Sequence, residues 1–374
     1  MRKPVPGMPS VLTILPRARR RRAREHAEAL RQEILREGLA ADRALALGNA
    51  LKAAGQLLEA IEALSEANRL GRDAGVERRL VRLRRKAFAE LDRSRAPAWP
   101  PSSAALGPDW SEGPATVTPN ELTPEVLRRA ILRNGCLLVR GLVAATRVTR
   151  LRDAIARAFE AREATLARRA TPETAVWYDP VERVPKDASR TWVRLGQGFL
   201  AADSPRAFFE FLETVREIGL ARIIAGYFGE RPALSIEKTT LRRSDASLHQ
   251  STWHQDGAFL GMDIRTVDVW IALSRCGREA PGLDVIPIRL ERVLPTGEAG
   301  TYFQWTVSDE TITRELPDAP VWRPEFEAGD ALLFDHQLLH RTAAEPDMPG
   351  VRHAIESWFF APSVYPKAST PLVV

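Results

Sequence analysis

The sequence predicts an α+β chain in which short strands close into a barrel or jelly roll packed against helices, preceded by a small all-α unit. Three observations carry this expectation. Up to about Leu91, apolar residues recur at helical spacing. From Leu234 onward, short runs of strand-forming residues bounded by turn residues take over. A stretch rich in Pro, Ser, Gly and Ala, residues 96–118, separates the helical start from the rest and reads as a linker.

At 374 residues the chain has room for two or three units. Its 44% hydrophobic and 27% charged content describe a globular protein. No apolar run approaches the roughly 20 residues of a membrane span, so no membrane association is expected. The only apolar run near the start, Val11 to Leu15, is too short for a secretory signal. Two cysteines, Cys136 and Cys276, give no disulfide framework, and a reducing cytoplasm fits best. Residues 1–95 hold 22 Lys+Arg against 12 Asp+Glu, a net +10, so with +6 overall the remainder sums to −4. The basic character therefore belongs to the N-terminal part.

Residues 1–16 contain several prolines and read as a flexible start. Six arginines lie between Arg17 and Arg24, followed by Glu25, Glu28, Glu33 and Glu37 at helical spacing, the pattern of a solvated helix. No aromatic residues interleave the arginines, which argues against nucleic acid. Ala44, Leu47, Gly48, Leu51, Ala60, Leu64 and Ala67 place small and large apolar residues over two helices with Gly55 at the turn. This spacing resembles one tetratricopeptide repeat, although the usual aromatics and closing Pro are missing. A further helix at about Val76–Leu91 would cap it. One and a half repeats cannot bury their own faces. Residues 17–95 are therefore expected to meet a protein partner, a second subunit or the rest of the chain.

Thr123, Pro124 and Glu125 form a helix start, and Asn134-Gly135 its end. Cys136–Val139 reads as a buried strand, Ala144–Arg162 as an amphipathic helix and Pro205–Phe228 as one long helix. Strands are expected at Leu234–Leu241, Thr266–Leu273, Leu283–Ile288, Thr301–Val307, Ala331–Phe334 and Ile355–Phe360.

The chemistry concentrates at Thr252 to Phe259. In an extended segment, His254 and Asp256 leave the same face, so both can grip one cation. Two His and one carboxylate on one side of a metal are the usual set for non-haem Fe(II) oxygenases. The second histidine comes from the C-terminal part, where Gly329-Asp330 reads as a turn, followed by an apolar strand, a loop and a strand bearing His340 and Thr342. His336 is the rival ligand, while His249 and His353 read as supporting or surface groups. Arg352, expected on an antiparallel neighbour of the His340 strand, suits bidentate pairing with a carboxylate near the metal. Trp253 and Phe259 read as packing residues.

Taken in order, WHQDG (253–257), GDALLFDHQLLHRT (329–342) and RHAIESWFF (352–360) resemble the phytanoyl-CoA dioxygenase family of Fe(II)/2-oxoglutarate oxygenases. The resemblance covers roughly residues 120–362 and makes residues 119–374 the dioxygenase domain. It implies a double-stranded β-helix core, jelly-roll and cupin-like, with His254, Asp256 and His340 on Fe(II). It also implies that Arg352 binds the distal carboxylate of 2-oxoglutarate with Thr342 assisting, and that Lys238 and Thr240 lie on the cosubstrate-side strand. The sequence departs from the family at Ala280–Arg289, where an Asn-Gly and a Pro-Gly-Ser-His run are usual. That stretch shapes the rim, so the departure bears on the substrate. The spacing from His340 to Arg352 is also slightly long.

The implied reaction consumes O₂ and 2-oxoglutarate, releases succinate and CO₂, and hydroxylates an organic small molecule. Two other readings stand beside it. One is an interaction protein on a degenerate oxygenase scaffold. The other is an oxygenase whose carrier-bound or macromolecular substrate is recruited by the N-terminal arm.

Overall fold

The computed structural model describes residues 17–94, 98–99, 114–181, 187–248, 252–298, 301 and 303–374. The flexible start, most of the expected linker and His249 lie outside the described residues. The chain divides into two compact units, residues 1–90 and 91–374.

The first unit is all helical: α1 (Arg17–Glu37), α2 (Ala41–Ala54), α3 (Leu57–Leu70) and α4 (Ala74–Ala87), closed by a 3₁₀ turn at Phe88–Glu90. Gly55 ends α2 in the left-handed region (φ 82°). Gly48 lets α2 and α3 approach closely, since a Cβ there would lie 2.6 Å from Leu64 Cγ. Glu90 accepts from Leu57 N at 3.1 Å, satisfying the open N-terminus of α3.

In the second unit, among the described residues, the helices are α5 (Pro124–Asn134), α6 (Ala145–Leu166), α7 (Pro172–Ala175), α8 (Asp187–Leu195), α9 (Pro205–Glu217), α10 (Leu220–Phe228), α11 (Gly257–Leu260) and α12 (Asp309–Glu315). The strands are β1 (Ala115–Val117), β2 (Cys136–Val139), β3 (Gly198–Leu200), β4 (Ala233–Ser244), β5 (Trp253–His254), β6 (Thr266–Ala272), β7 (Gly282–Ile286), β8 (Thr306–Val307), β9 (Ala331–Phe334), β10 (Leu339–Ala343), β11 (Arg352–Phe360) and β12 (Pro371–Val373). A large sheet runs β1-β2-β9-β6-β11-β4-β12, with β3 also on β4; a small sheet runs β7-β10-β5-β8. From β4 to β7 and again from β9 to β11, successive strands alternate between the two sheets. The inner faces share one apolar core, which joins Leu138, Trp270, Leu332 and Phe334 of the large sheet to Leu283 and Val285 of the small one.

The local signals held where caps spoke. Thr123 accepts from Val126 N at 3.2 Å, and α5 ends at Gly135 (φ 78°). The expected Pro205–Phe228 helix is two helices, broken at Gly219 (φ 68°). The expected Thr301–Val307 strand shrinks to Thr306–Val307. Conversely, β4 and β11 are longer than expected: β11 is paired on both sides along most of its length, and β4 pairs with β11 on one side and with β12 and β3 near its two ends on the other. Ala115–Val117, inside the stretch read as linker, forms β1 beside β2. No helix among the described residues is long and apolar enough to cross a membrane.

Candidate metal centre

His254 ends β5 and His340 lies on β10, and the two are direct partners in the antiparallel register. Asp256 follows His254 at the start of the turn into α11 and is buried. His254 Nε2 lies 3.8 Å from Asp256 Oδ1, and His340 Nε2 lies 3.8 Å from Asp256 Oδ2. All three donor atoms fall within 4.8 Å of one another. Each imidazole is fixed from behind. His254 Nδ1 is 3.0 Å from Thr252 O, and His340 Nδ1 is 3.0 Å from Leu338 O. With Nδ1–H donating to a carbonyl, Nε2 keeps its lone pair for a ligand.

Burial governs the electrostatics. It lowers His254 to about 3, with the neighbouring His340 next in effect, and it lowers His340 as well, so both rings are neutral donors. It raises the Asp256 carboxyl well above its ordinary range, with Lys238 opposing. Asp256 Oδ2 is buried without a hydrogen-bond partner. Two neutral imidazoles converging on an orphaned buried carboxylate oxygen are a donor set that a divalent cation satisfies, so the residues fit Fe(II).

Residues the sequence did not single out hold this geometry. Gln255 is fully buried between its two neighbours. Its Nε2 donates to Arg292 O (3.0 Å) and Gln337 O (2.9 Å), and its Oε1 accepts from Leu294 N (2.8 Å). That clamp fixes the peptide from which His254 and Asp256 project. Such a role has no local signature, since its partners lie 37 to 82 residues away. His336 falls outside the donor cluster. It packs against Gly257, whose N–H donates to His336 O at 2.8 Å.

Arg352 is not on a strand neighbouring β10. It opens β11, in the opposite sheet, paired with Ser244 of β4. It is 2% exposed and enters the space between the sheets. There its Nη1 donates to Gly282 O (3.2 Å) and Pro281 O (3.4 Å), Nη2 donates to Ser244 Oγ (3.2 Å), and the guanidinium lies over Trp270 at 5.6 Å. The departing stretch 280–289 thus supplies carbonyls to this arginine, while its buried Asp284 holds Arg323 and Arg341. Burial lowers the Arg352 guanidinium to about 10, and it stays charged at neutral pH. Thr342 lies on β10 two residues beyond His340, opposite Leu283 of β7.

Lys238, Thr240, Arg242 and Ser244 alternate along one face of β4. Thr240 donates to Glu356 of β11 (3.3 Å), and Arg242 donates to the same carboxylate through Nε (2.8 Å) and Nη2 (2.5 Å). The Lys238 ammonium sits over the Phe259 ring (4.1 Å) and the Trp358 ring (4.8 Å). Phe259 is 40% exposed and meets Trp305, which in turn meets His254. Trp253 is buried packing, as expected. His353 is half-buried on β11, and its N–H donates to Ser274 Oγ.

The phytanoyl-CoA dioxygenase family model matches residues 131–345. The chain belongs to that family. No curated protein matches it. Among solved structures it is similar to EctD from S. alaskensis, solved with 2-oxoglutarate and 5-hydroxyectoine (16% identity, TM-score 0.46, covering 74% of this chain and 87% of that one). It is also similar to the non-haem α-ketoglutarate-dependent carbocyclase SnoK from nogalamycin biosynthesis (16%, TM-score 0.42, 67% and 87%). AviO1 from Streptomyces viridochromogenes Tue57 is a further match (17%, TM-score 0.40, 66% and 98%). Family membership and the His-Asp-His donor set are consistent with an oxygenase using Fe(II), 2-oxoglutarate and O₂.

Proposed function

We infer that this chain hydroxylates a small organic molecule, using Fe(II) held by His254, Asp256 and His340. The observation that carries the reading is the convergence of their donor atoms, with Asp256 Oδ2 buried and unpartnered. When bound, the metal with 2-oxoglutarate and O₂ supplies the oxidising power, and the cosubstrate leaves as succinate and CO₂. The alternation of β4 to β7 and of β9 to β11 between sheets supports a double-stranded β-helix core.

The chain's own residues orient the reactants. Arg352 offers a buried fork for the distal carboxylate of 2-oxoglutarate, and Thr342 supplies a hydroxyl from β10, the strand that carries His340. Thr240 already donates to Glu356. Lys238 lies six residues along β4 from Ser244, the register partner of Arg352, or about 20 Å of strand. The cosubstrate set therefore narrows to Arg352 and Thr342. The basic helical unit, whose Gly48–Leu64 contact fits the tetratricopeptide-like spacing, serves as a recruiting arm for a protein partner, in a cytoplasmic setting.

Purified chain supplied with Fe(II) and 2-oxoglutarate is expected to form succinate, and His340→Ala to form none. Equal succinate formation by the variant overturns the reading.

A further inference from the structure

On the metal side of the large sheet, two opposite charges make no side-chain hydrogen bond or salt bridge with any described residue. Asp268 of β6 is 3% exposed, its side chain makes no hydrogen bond or ion pair with any described residue, and its Oδ1 is fully enclosed. The Lys238 ammonium of β4 lies over the faces of Phe259 and Trp358 and acts on Glu356 and Asp268 through space, without a salt bridge. They belong to one row across the sheet. Asp268 is the register partner of Phe334 on one side and of Trp358 on the other, and Lys238 lies against Trp358. Phe334 in turn packs on the His340 ring, with centroids 4.9 Å apart, so the row forms the floor beneath the metal ligands. Trp358 Nε1 and Thr266 Oγ1, beside it, are also buried without partners.

A fold does not leave a carboxyl, a hydroxyl and an indole N–H buried without partners unless something else satisfies them. We propose that Lys238 and Asp268 hold the primary substrate, and that this substrate is a small zwitterion, a free amino acid being its simplest form. Lys238 Nζ and Trp358 Nε1 are donors for its carboxylate. Asp268 and Thr266 Oγ1 are acceptors for its ammonium. The assignment rests on the oxygenase reading above, which places the cosubstrate at Arg352 and leaves this row free.

Charge balance selects the same class. The interior side chains Lys238, Arg242 and Arg352 offset Asp256, Asp268 and Glu356, and Fe(II) offsets doubly charged 2-oxoglutarate. A guest without net charge keeps that balance, and an anionic or cationic guest breaks it in a low-dielectric space. Burial, Glu356 and Asp256 push the Asp268 carboxyl well up, and an arriving ammonium relieves that penalty.

The test uses the full chain loaded with Mn(II) and 2-oxoglutarate, read by thermal melting and tryptophan fluorescence. The probes are the standard protein amino acids one at a time, together with their N-acetyl and methyl ester forms. At least one free amino acid is expected to bind saturably, with both blocked forms failing. Asp268→Asn and Lys238→Met should each weaken that binding by about tenfold or more, while Lys238→Arg retains most of it. The subsite is rejected if no free amino acid binds, if a blocked form binds as well, or if both variants melt normally and bind as wild type does. Failure of Mn(II) and 2-oxoglutarate to stabilise the wild-type chain rejects the oxygenase reading instead, and the same titration on the unloaded chain then decides the subsite.

Discussion

His254 and His340 face each other as direct partners across β5 and β10, ring centroids 4.3 Å apart, and each turns its Nδ1 onto the carbonyl two residues before it. The same local device, used on two strands about 85 residues apart, aims both Nε2 atoms at Asp256. His340→Ala and Asp256→Ala should abolish stoichiometric Mn(II) binding in calorimetry, whereas His336→Ala should leave it intact. Loss of binding in His336→Ala would reverse the ligand assignment.

Arg352→Ala should raise the 2-oxoglutarate concentration needed for half-maximal stabilisation at least about thirtyfold, the loss expected on truncating one partner of a buried charge pair. Arg352→Lys should recover little, because a point charge cannot bridge Ser244 and the incoming carboxylate as a fork does. Mn(II) affinity measured without cosubstrate should stay near wild type in both variants.

Stability should depend on acid through Glu356. Burial acts to raise its carboxyl, but Arg242 and then Lys238 outweigh burial and hold it at about 2. This is below the unfolded value of about 4.3, so the pair stabilises the fold fully above that pH and loses its effect as pH falls toward 2. Glu356→Gln should be less stable than wild type by on the order of 3 kcal/mol at pH 7, a gap that narrows between about pH 4 and 2. Urea unfolding across this range measures it, and a pH-independent gap contradicts the argument.

In the helical unit, Gly48→Ala should cost about 1–3 kcal/mol, because the added methyl meets Leu64 at 2.6 Å and α2 and α3 must separate. Hydrogen exchange in the full chain should show faster opening confined to α2 and α3. Unchanged protection there would mean the Leu64 side chain simply moves aside.

The product should carry hydroxyl and not halogen. Related iron halogenases replace the ligand carboxylate with a small residue, which opens a position for chloride. Asp256 is present here, with Oδ1 3.8 Å from His254 Nε2 and Oδ2 3.8 Å from His340 Nε2. Mass spectrometry of product formed under ¹⁸O₂ in chloride buffer should show one labelled oxygen and no chlorine.

The His-Asp-His cluster was legible because a His-x-Asp pair and a histidine closing a turn-strand-loop-strand run are local patterns, although only His254 of the pair is on a strand and Asp256 sits at the helical turn that follows. The large sheet's inner charges were not. Along β6, Asp268 alternates with valines as a solvent-facing residue would, yet every residue of that strand is buried. Period-two alternation reports which residues share a face, not whether that face sees water. The strand pairing of Arg352 failed for a related reason: two sheets folded over one core bring strands together across that core as well as along an edge. Gly219 went unnoticed because apolar spacing continues through it, and β1 and β3, at three residues each, exist only through their long-range partners.

The chain's last strand has leverage on the site. β12 pairs with Ala233–Ser235, and Glu237 accepts from both the N–H (2.8 Å) and the hydroxyl (2.6 Å) of Thr370. Glu237 adjoins Lys238 and points to the opposite face of β4, so the tail grips, from outside, the peptide that aims Lys238 inward. Loss of the β12 pairing would therefore disturb the inner face of β4 without touching it.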